Sequence, residues 1–290
     1  MYRRIGLRIT LMQLALAIVF LSPNAHAITQ NGVTCNLFFS IVNGAINWPI
    51  NGYLYYCGNN SSSDSAGVSE VWNGAGGATQ QVATGQSVPF LRQAFTNTQV
   101  QLYVFDTVQD FNSYFNVSIT PPPGTDAAGF TAKPGQVPSH PGPFSAIFQY
   151  APSINNSSRL LDIVQTTNHE LGHEMDRYYK YPSGALAPAT VASQNYLNAV
   201  NLDIVYVNKL TCLEVFGALA GQACVAGLTN WQRMQKLWPY DTSAAEFFAN
   251  VFAAESAGGA LNAQLGSIIR NDFVNTVNYE HGLRTGIGAR

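Results

Sequence analysis

Charged side chains and cysteines are scarce in this chain of 290 residues. Only 10% of the residues are charged, 47% are hydrophobic, and the formal net charge is −2 at pH 7. A disordered chain has the opposite balance of high charge and low hydrophobicity, so that class is excluded. Four cysteines are too few for a disulfide scaffold of this length. Because no basic excess is present, we expect no nucleic-acid partner.

Long apolar runs are also lacking outside the N-terminus. Three arginines among the first eight residues precede an apolar run, Leu11–Leu21, which is shorter than the roughly 20 residues of a membrane-spanning helix. Ala25-His26-Ala27 then gives a small-x-small cleavage site. This pattern predicts a signal peptide at residues 1–27, no membrane span in the mature protein, and a secreted or periplasmic location.

Export makes disulfides possible for Cys35, Cys57, Cys212 and Cys224. Four cysteines can be joined in three ways. We favour the connectivity with two local disulfides, Cys35–Cys57 and Cys212–Cys224, because each bond stays within its own region of the chain. A zinc site built from cysteines would need a close Cys-x-x-Cys pair, which the sequence does not contain.

The apolar periodicity predicts strands early and helices late, which is an α+β fold. We expect a single domain at residues 28–290, with mainly sheet and loops at 28–158 and mainly helices at 159–290. Strands are predicted at 37–39, 53–56, 99–105 and 144–150. Helices are predicted at 88–95, 107–114, 155–181, after an N-cap at Asn230, from Ser243 and at 261–279. Residues 59–87 read as a loop, and 120–143, with seven prolines, as irregular.

The strongest predicted helix contains His169-Glu170-Leu171-Gly172-His173. A spacing of four places both imidazoles on one helical face, where they can reach a single tetrahedral zinc ion. Glu170 is rotated about 100° from His169, beside the metal, and suits a general base acting on zinc-activated water. A mid-helix glycine costs about 1 kcal/mol relative to alanine, so Gly172 predicts a close approach by another segment.

A catalytic zinc ion needs a third protein ligand, with the fourth position left to water. Glu246, near the start of a later helix, is the candidate. Ser243 and Glu246 also form a capping-box sequence, in which Glu246 would only bond the Ser243 backbone N–H. The residues alone leave both interpretations open.

Other polar residues have ordinary interpretations. Asp176 lies too far along the helix to be a ligand. It is expected either to hydrogen-bond an imidazole that binds the metal or to be a solvated charge. Glu174 is expected only to pair with Arg177 on the same helix. His140 and His281 are expected to be solvated or structural rather than ligands.

The string His-Glu-x-Gly-His-x-x-Asp at 169–176, followed by Glu-Phe-Phe-Ala-x-x-Phe at 246–252, resembles the catalytic domain of anthrax lethal factor and the bacterial Pro-Pro endopeptidases. These are gluzincin-type zinc metallopeptidases. The resemblance implies a zincin-like fold with one catalytic Zn²⁺. It also implies His169, His173 and Glu246 as ligands and Glu170 as catalytic base.

The likeness covers residues 95–256 and departs from the family at three points. The family has a tyrosine seven residues before the ligating glutamate, where this chain has Pro239. Tyr240, one position nearer, is then the candidate oxyanion stabiliser, or else a half-buried aromatic. Asn250 stands where the family often has an acidic residue, and the interval from the second histidine to the glutamate is longer than usual. In the family an edge strand binds extended substrate, and the strand at 144–150 fits the strand before the active-site helix.

We therefore expect a secreted zinc-dependent endopeptidase whose peptide substrate is bound extended along an edge strand. One alternative is an exported, non-enzymatic adhesion or effector module with a structural or degenerate zinc site. Another is a zinc amidase that acts on cell-wall peptide. A structural site would close its fourth coordination position with a protein ligand.

Overall fold

A computed structural model of the chain gives the fold between residues 27 and 288. It describes residues 27–40, 53–58, 66–71, 74, 100–120, 127–133, 135–140, 142, 144–151, 159–178, 193–238, 243–256 and 263–288. The predicted signal peptide apart from Ala27, the helix predicted at 88–95, and Tyr240 lie outside the described residues.

Six strands of the described chain form one mixed sheet. They are β1 (Ala27–Gln30), β2 (Val33–Ser40), β3 (Tyr53–Cys57), β4 (Gln101–Phe105), β5 (Gly129–Thr131) and β6 (Phe144–Phe148). Their order across the sheet is β1-β2-β3-β4-β6-β5. Strands β3, β4 and β6 run parallel, and the other neighbouring pairs are antiparallel. Because β4 and β6 are buried in the middle of the sheet, both are nearly continuous apolar runs.

Strand β5 corrects two predictions. Residues 120–143 were expected to be irregular, yet Gly129–Thr131 pairs with Ser145–Ile147 of β6. No proline falls within these three residues, so their N–H groups remain available to the sheet. Because β5 covers the outer side of β6, the strand predicted at 144–150 is internal, and it ends at Phe148. The outermost described strand on this side is therefore β5.

Besides helical residues at 66–71, the described part of the chain has nine α-helices, eight of which come after the last strand. They are α1 (Val108–Phe115), α2 (Arg159–Tyr178), α3 (Gln194–Val207), α4 (Cys212–Phe216), α5 (Ala220–Ala223), α6 (Asn230–Leu237), α7 (Ala244–Glu255), α8 (Ala263–Asp272) and α9 (Val274–Gly288). Helix α2 packs against β5 and β6 on one side and against α7 on another. The chain is thus α+β with a mostly helical C-terminal part. Residues 66–71, predicted as loop, are also helical.

The last predicted helix, 261–279, is divided into α8 and α9. The Asp203 carboxylate, on α3, accepts hydrogen bonds from the backbone N–H groups of Asn275 and Thr276, at 3.1 and 2.7 Å. These groups lie in the first turn of α9, where a helix has no internal acceptors for them. A side chain from a distant helix therefore caps α9, and a local sequence pattern does not reveal such a cap.

The start of α6 also differs from its prediction. Thr229, rather than Asn230, is the N-cap, and its hydroxyl accepts from the Gln232 N–H at 3.2 Å. Asn230 is buried, and its amide donates to the carbonyl oxygens of Val207 and Leu210. The asparagine thus ties α6 to the end of α3.

Both predicted disulfides are confirmed. Cys35–Cys57 joins the neighbouring strands β2 and β3, and Cys212–Cys224 joins the start of α4 to the end of α5. Two disulfides are compatible with an extracellular location. No single helix of the described ranges has the length and apolarity to cross a membrane, although α3 and the segment Cys212–Ala223, with a sharp bend between them, pass that test together.

Candidate metal centre

Helices α2 and α7 meet at Gly172. A β-carbon built on this glycine would lie 2.8 Å from the Ala249 α-carbon and 3.1 Å from its carbonyl oxygen. Real β-carbons do not approach backbone atoms so closely, so the contact requires glycine. The prediction that Gly172 admits another segment is confirmed, and that segment is α7.

Three side chains converge beside this contact. Oε2 of Glu246 lies 3.1 Å from Nε2 of His169 and 3.3 Å from Nε2 of His173. One ligand atom from each residue lies within 4.8 Å of the others. Within the residues that the structure describes, this is the one group of three or more histidine, cysteine or acidic side chains that can hold a metal ion.

The donor set and its exposure fit a metal ion. Two imidazole nitrogens and one carboxylate oxygen are ligands that zinc accepts. The side chain of His173 is 4% exposed and that of His169 15%, whereas that of Glu246 is 34% exposed. The two histidines on α2 are therefore mostly buried, and solvent reaches the group at Glu246 of α7.

The charges and hydrogen bonds within the group shift the pKa values of Glu246 and His169. Burial would raise the pKa of Glu246, but the hydrogen bonds and charges of the two histidines hold that pKa well below its usual range. Burial would lower the pKa of His169, but the hydrogen bond to Glu246, together with the negative charges of Glu170 and Glu246, raises it to about 9. Glu246 is thus an anion, and it stabilises His169 as a cation in the metal-free group.

Asn250 fixes the orientation of His169. Its Oδ1 accepts a hydrogen bond from Nδ1 of His169 at 2.8 Å. With Nδ1 bearing the hydrogen, Nε2 is the nitrogen that faces Glu246 and a metal ion. The sequence marked Asn250 only as a departure from the resembling family. Its position four residues after Glu246, on the same helical face, is the signal that could have identified this role.

Of the two interpretations of the Glu246 side chain, the structure favours the one that places it beside the histidines. Its backbone N–H donates to the Ser243 hydroxyl at 3.2 Å, so Ser243 is the N-cap of α7. The Glu246 carboxylate does not complete a capping box and instead bonds the imidazoles. The cap fixes the first turn of α7 and so aims the carboxylate at α2.

Glu170 points to strand β5 rather than to open solvent. Thr131 donates a hydrogen bond from Oγ1 to Oε2 of Glu170 at 2.6 Å, and both residues are buried. A β-carbon on Gly129 would lie 2.5 Å from Oε1 of Glu170. The carboxylate therefore occupies space that only a glycine leaves free in β5.

Two hydroxyl groups link the Glu170 carboxylate to a second carboxyl group. Thr131 Oγ1 lies 2.7 Å from Ser145 Oγ, which lies 2.9 Å from Oε1 of Glu174. Burial raises the pKa of Glu174 to about 8, against the lowering effects of Ser145 and Arg177. The three links need three hydrogens and the two hydroxyls supply two. The raised pKa of Glu174 means that this carboxyl group can supply the third.

Glu174 has more than the pairing with Arg177 that helical spacing predicted. It is 1% exposed and faces the sheet, where its carboxyl group lies 2.9 Å from Ser145 Oγ. The Arg177 guanidinium donates to the carbonyl oxygen of Thr131. Arg177 thus contacts β5 and Glu174 contacts β6, and helical spacing alone does not predict either contact.

The remaining candidate residues lie apart from the group or outside the described residues. His140 hydrogen-bonds Gln101 through Nε2 at 2.8 Å and packs among aromatic rings, which is a structural role. Asp176 is buried, so it is not a solvated charge. His281 lies on α9, outside the ligand group. The proposed role of Tyr240 stays a prediction.

Comparisons with known proteins give no match: no protein-family model, curated protein or solved structure matches this chain. The function is therefore argued from the arrangement of the chain's own residues.

Proposed function

We propose that the chain is a secreted zinc-dependent endopeptidase with a zincin-like catalytic domain. Its motifs resemble those of such enzymes. One observation carries the proposal. Two histidines one turn apart on α2 meet a glutamate from α7, on a side that solvent reaches. Three protein ligands with an open side are typical of catalytic zinc sites, whereas structural sites have four.

The residues divide the work between them. His169, His173 and Glu246 hold zinc, which when bound acidifies water and polarises a carbonyl group. Glu170, between the two histidines in sequence, accepts the proton of the attacking water and returns it to the leaving amine. Tyr240 is our candidate for the residue that stabilises the developing oxyanion.

The position of β5 supports a peptide substrate. It is the outermost described strand on this side, and it lies directly against Glu170. An extended peptide that adds to an exposed strand forms backbone hydrogen bonds in register with it. Addition to β5 would bring a peptide bond beside the base, so we assign substrate binding to β5 instead of the strand at 144–148.

Two alternatives make different predictions about the same site. A non-enzymatic module with a structural zinc ion would have four protein ligands and no exchangeable water. A zinc amidase would cleave purified peptidoglycan and leave a peptide library intact. Finding either result would replace the endopeptidase proposal.

The experiment that tests the proposal compares hydrolysis with metal content. The mature protein is incubated with a peptide library, with and without a chelator, and zinc per chain is measured in parallel. We expect cleavage that the chelator abolishes. Glu170→Ala should abolish cleavage and leave zinc bound, because Glu170 is not a ligand.

Glu214→Ala serves as the matched control, because Glu214 is an exposed helical glutamate on α4. We expect it to retain both zinc and turnover. If Glu170→Ala cleaves the library at the wild-type rate, Glu170 is not the base and the proposal is wrong.

A further inference from the structure

A strand that was expected to be irregular supplies the hydrogen-bond donor to the proposed base. The 2.6 Å distance between Thr131 Oγ1 and Glu170 Oε2 lies in the short range typical of a hydroxyl bonded to a carboxylate. Thr131 Oγ1 also lies 3.1 Å from the backbone carbonyl oxygen of Glu170. Thr131 is 4% exposed and Glu170 5%, so bulk water does not compete for this contact.

Thr131 is itself held on several sides. It pairs with Ser145 in the β5–β6 ladder, and the two hydroxyl oxygens are 2.7 Å apart. Its carbonyl oxygen accepts from Arg177 of α2. Because a β-branched side chain has restricted χ1 freedom, these contacts fix the direction of the hydroxyl group.

A general base must be held within hydrogen-bond reach of the proton that it takes up. A glutamate side chain has three rotatable bonds, and a free one samples many orientations. In this chain the Thr131 hydroxyl engages one carboxylate oxygen, and the Gly129 backbone lies against the other. Strand β5 thus restricts Glu170 from both sides.

We infer that Thr131 is a positioning residue for Glu170: its hydroxyl holds the carboxylate of the base in its working orientation. The inference rests on the proposed endopeptidase function. A positioning role predicts a loss in kcat with little change in KM, because Thr131 touches the base and not the substrate. Partners that orient active-site groups typically contribute about 10- to 100-fold.

Thr131→Val tests the inference, because valine keeps the shape and removes the hydroxyl. Thr131→Ser restores the hydroxyl without the methyl group. Thr276→Val is the matched control: Thr276 is also buried, and its hydroxyl donates to the Asp203 carboxylate at 2.7 Å, in α9. Zinc per chain, melting temperature, kcat and KM are measured for all four proteins.

We expect Thr131→Val to lower kcat by about 10- to 100-fold, with KM and zinc content unchanged. Thr131→Ser should recover most of the loss, and Thr276→Val should keep the wild-type kcat even if its melting temperature falls. A wild-type kcat in Thr131→Val, or an equal loss in Thr131→Ser, would overturn the inference.

A second readout does not depend on turnover. Infrared difference spectra of the metal-free proteins should show a shifted carboxylate stretch in Thr131→Val, and the shift should vanish in a Glu170→Gln background. An unshifted band overturns the contact between the two residues. If the wild type cleaves nothing, the proposed function fails, and the infrared result still decides whether Thr131 holds Glu170.

Discussion

The side-chain oxygen of Asn250 accepts a hydrogen bond from Nδ1 of His169, on the opposite side of the ring from Glu246. Both partners of His169 thus come from α7, one turn apart. The helix that supplies the proposed third ligand also sets which nitrogen of His169 is free to bind a metal ion. Ligand and orienting residue are therefore positioned by one packing contact.

Removing that orienting residue should weaken metal binding. We expect Asn250→Ala to lower zinc affinity by about 10- to 100-fold, because His169 loses the acceptor that fixes its ring. Competition with a chromophoric chelator measures the affinity. Asn198→Ala, at an exposed position of α3, is the control and should bind zinc as the wild type does. Equal affinities in the two variants would contradict the role of Asn250.

The glycine at the crossing of α2 and α7 should not tolerate a methyl group. Gly172→Ala places a β-carbon against the Ala249 backbone, which side-chain rotation cannot relieve. We expect a loss of about 1–3 kcal/mol in the free energy of unfolding and weaker zinc binding, since Glu246 moves away with α7.

Chemical denaturation measures the stability of Gly172→Ala beside Gly282→Ala. Gly282 lies within α9, and a β-carbon there meets nothing within 4 Å. Because alanine favours helix, we expect Gly282→Ala to be neutral or to stabilise by up to about 1 kcal/mol. Similar effects of the two substitutions would show that α7 does not need this close approach.

Metal binding should release a proton near neutral pH. The raised pKa of His169, about 9, means that its imidazole is protonated at pH 7 in the metal-free group. A metal ion needs the neutral ring, so binding displaces that proton. We expect affinity to rise about tenfold per pH unit until the pH reaches the pKa of His169.

Calorimetric titration with zinc, in buffers of different ionisation enthalpy, counts the protons released. Glu246 contributes none at pH 7, because its pKa is held well below its usual range. The absence of proton release at pH 7 would contradict the ion pair between His169 and Glu246.

The buried carboxyl group of Glu174 should make stability depend on pH. Its pKa is about 8 in the folded protein, against 4.5 for an ordinary glutamate. Between these values the folded protein keeps a proton that the unfolded chain releases. The free energy of unfolding therefore falls as pH rises through this window, and the contribution of this group is complete below it.

Glu174→Gln removes this titration and should flatten that part of the pH dependence. Urea unfolding at about pH 5 and about pH 8.5 compares the variant with the wild type. Glu214→Gln is the control, because that glutamate is exposed and its pKa is lowered by its bonds to Thr211. Parallel pH dependences in all three proteins would show that Glu174 is ionised when folded.

The sequence predicted the parts of the site that follow from local spacing. The four-residue interval between His169 and His173 sets both rings on one face of any helix that contains them. Gly172 in a helix interior pointed to a close contact because its energetic cost needs a compensating reason. Short sequence separation likewise predicted the two disulfides and the helix start at Ser243.

The parts that the sequence did not predict depend on distant pairing. Strand β5 is three residues long among prolines, and it exists because β6 supplies its hydrogen-bond partners. Its contact with Glu170 follows from that pairing. The same reason applies to Asp203, which caps α9 from another helix. No local pattern carries such information.

The central claim is that His169, His173 and Glu246 bind one metal ion, and zinc stoichiometry of the purified protein tests it most directly. We predict about one zinc ion per chain in the wild type and in Glu170→Ala, and substoichiometric zinc in Glu246→Ala. Full zinc content in Glu246→Ala, or a wild-type protein that binds no metal at all, would contradict the account.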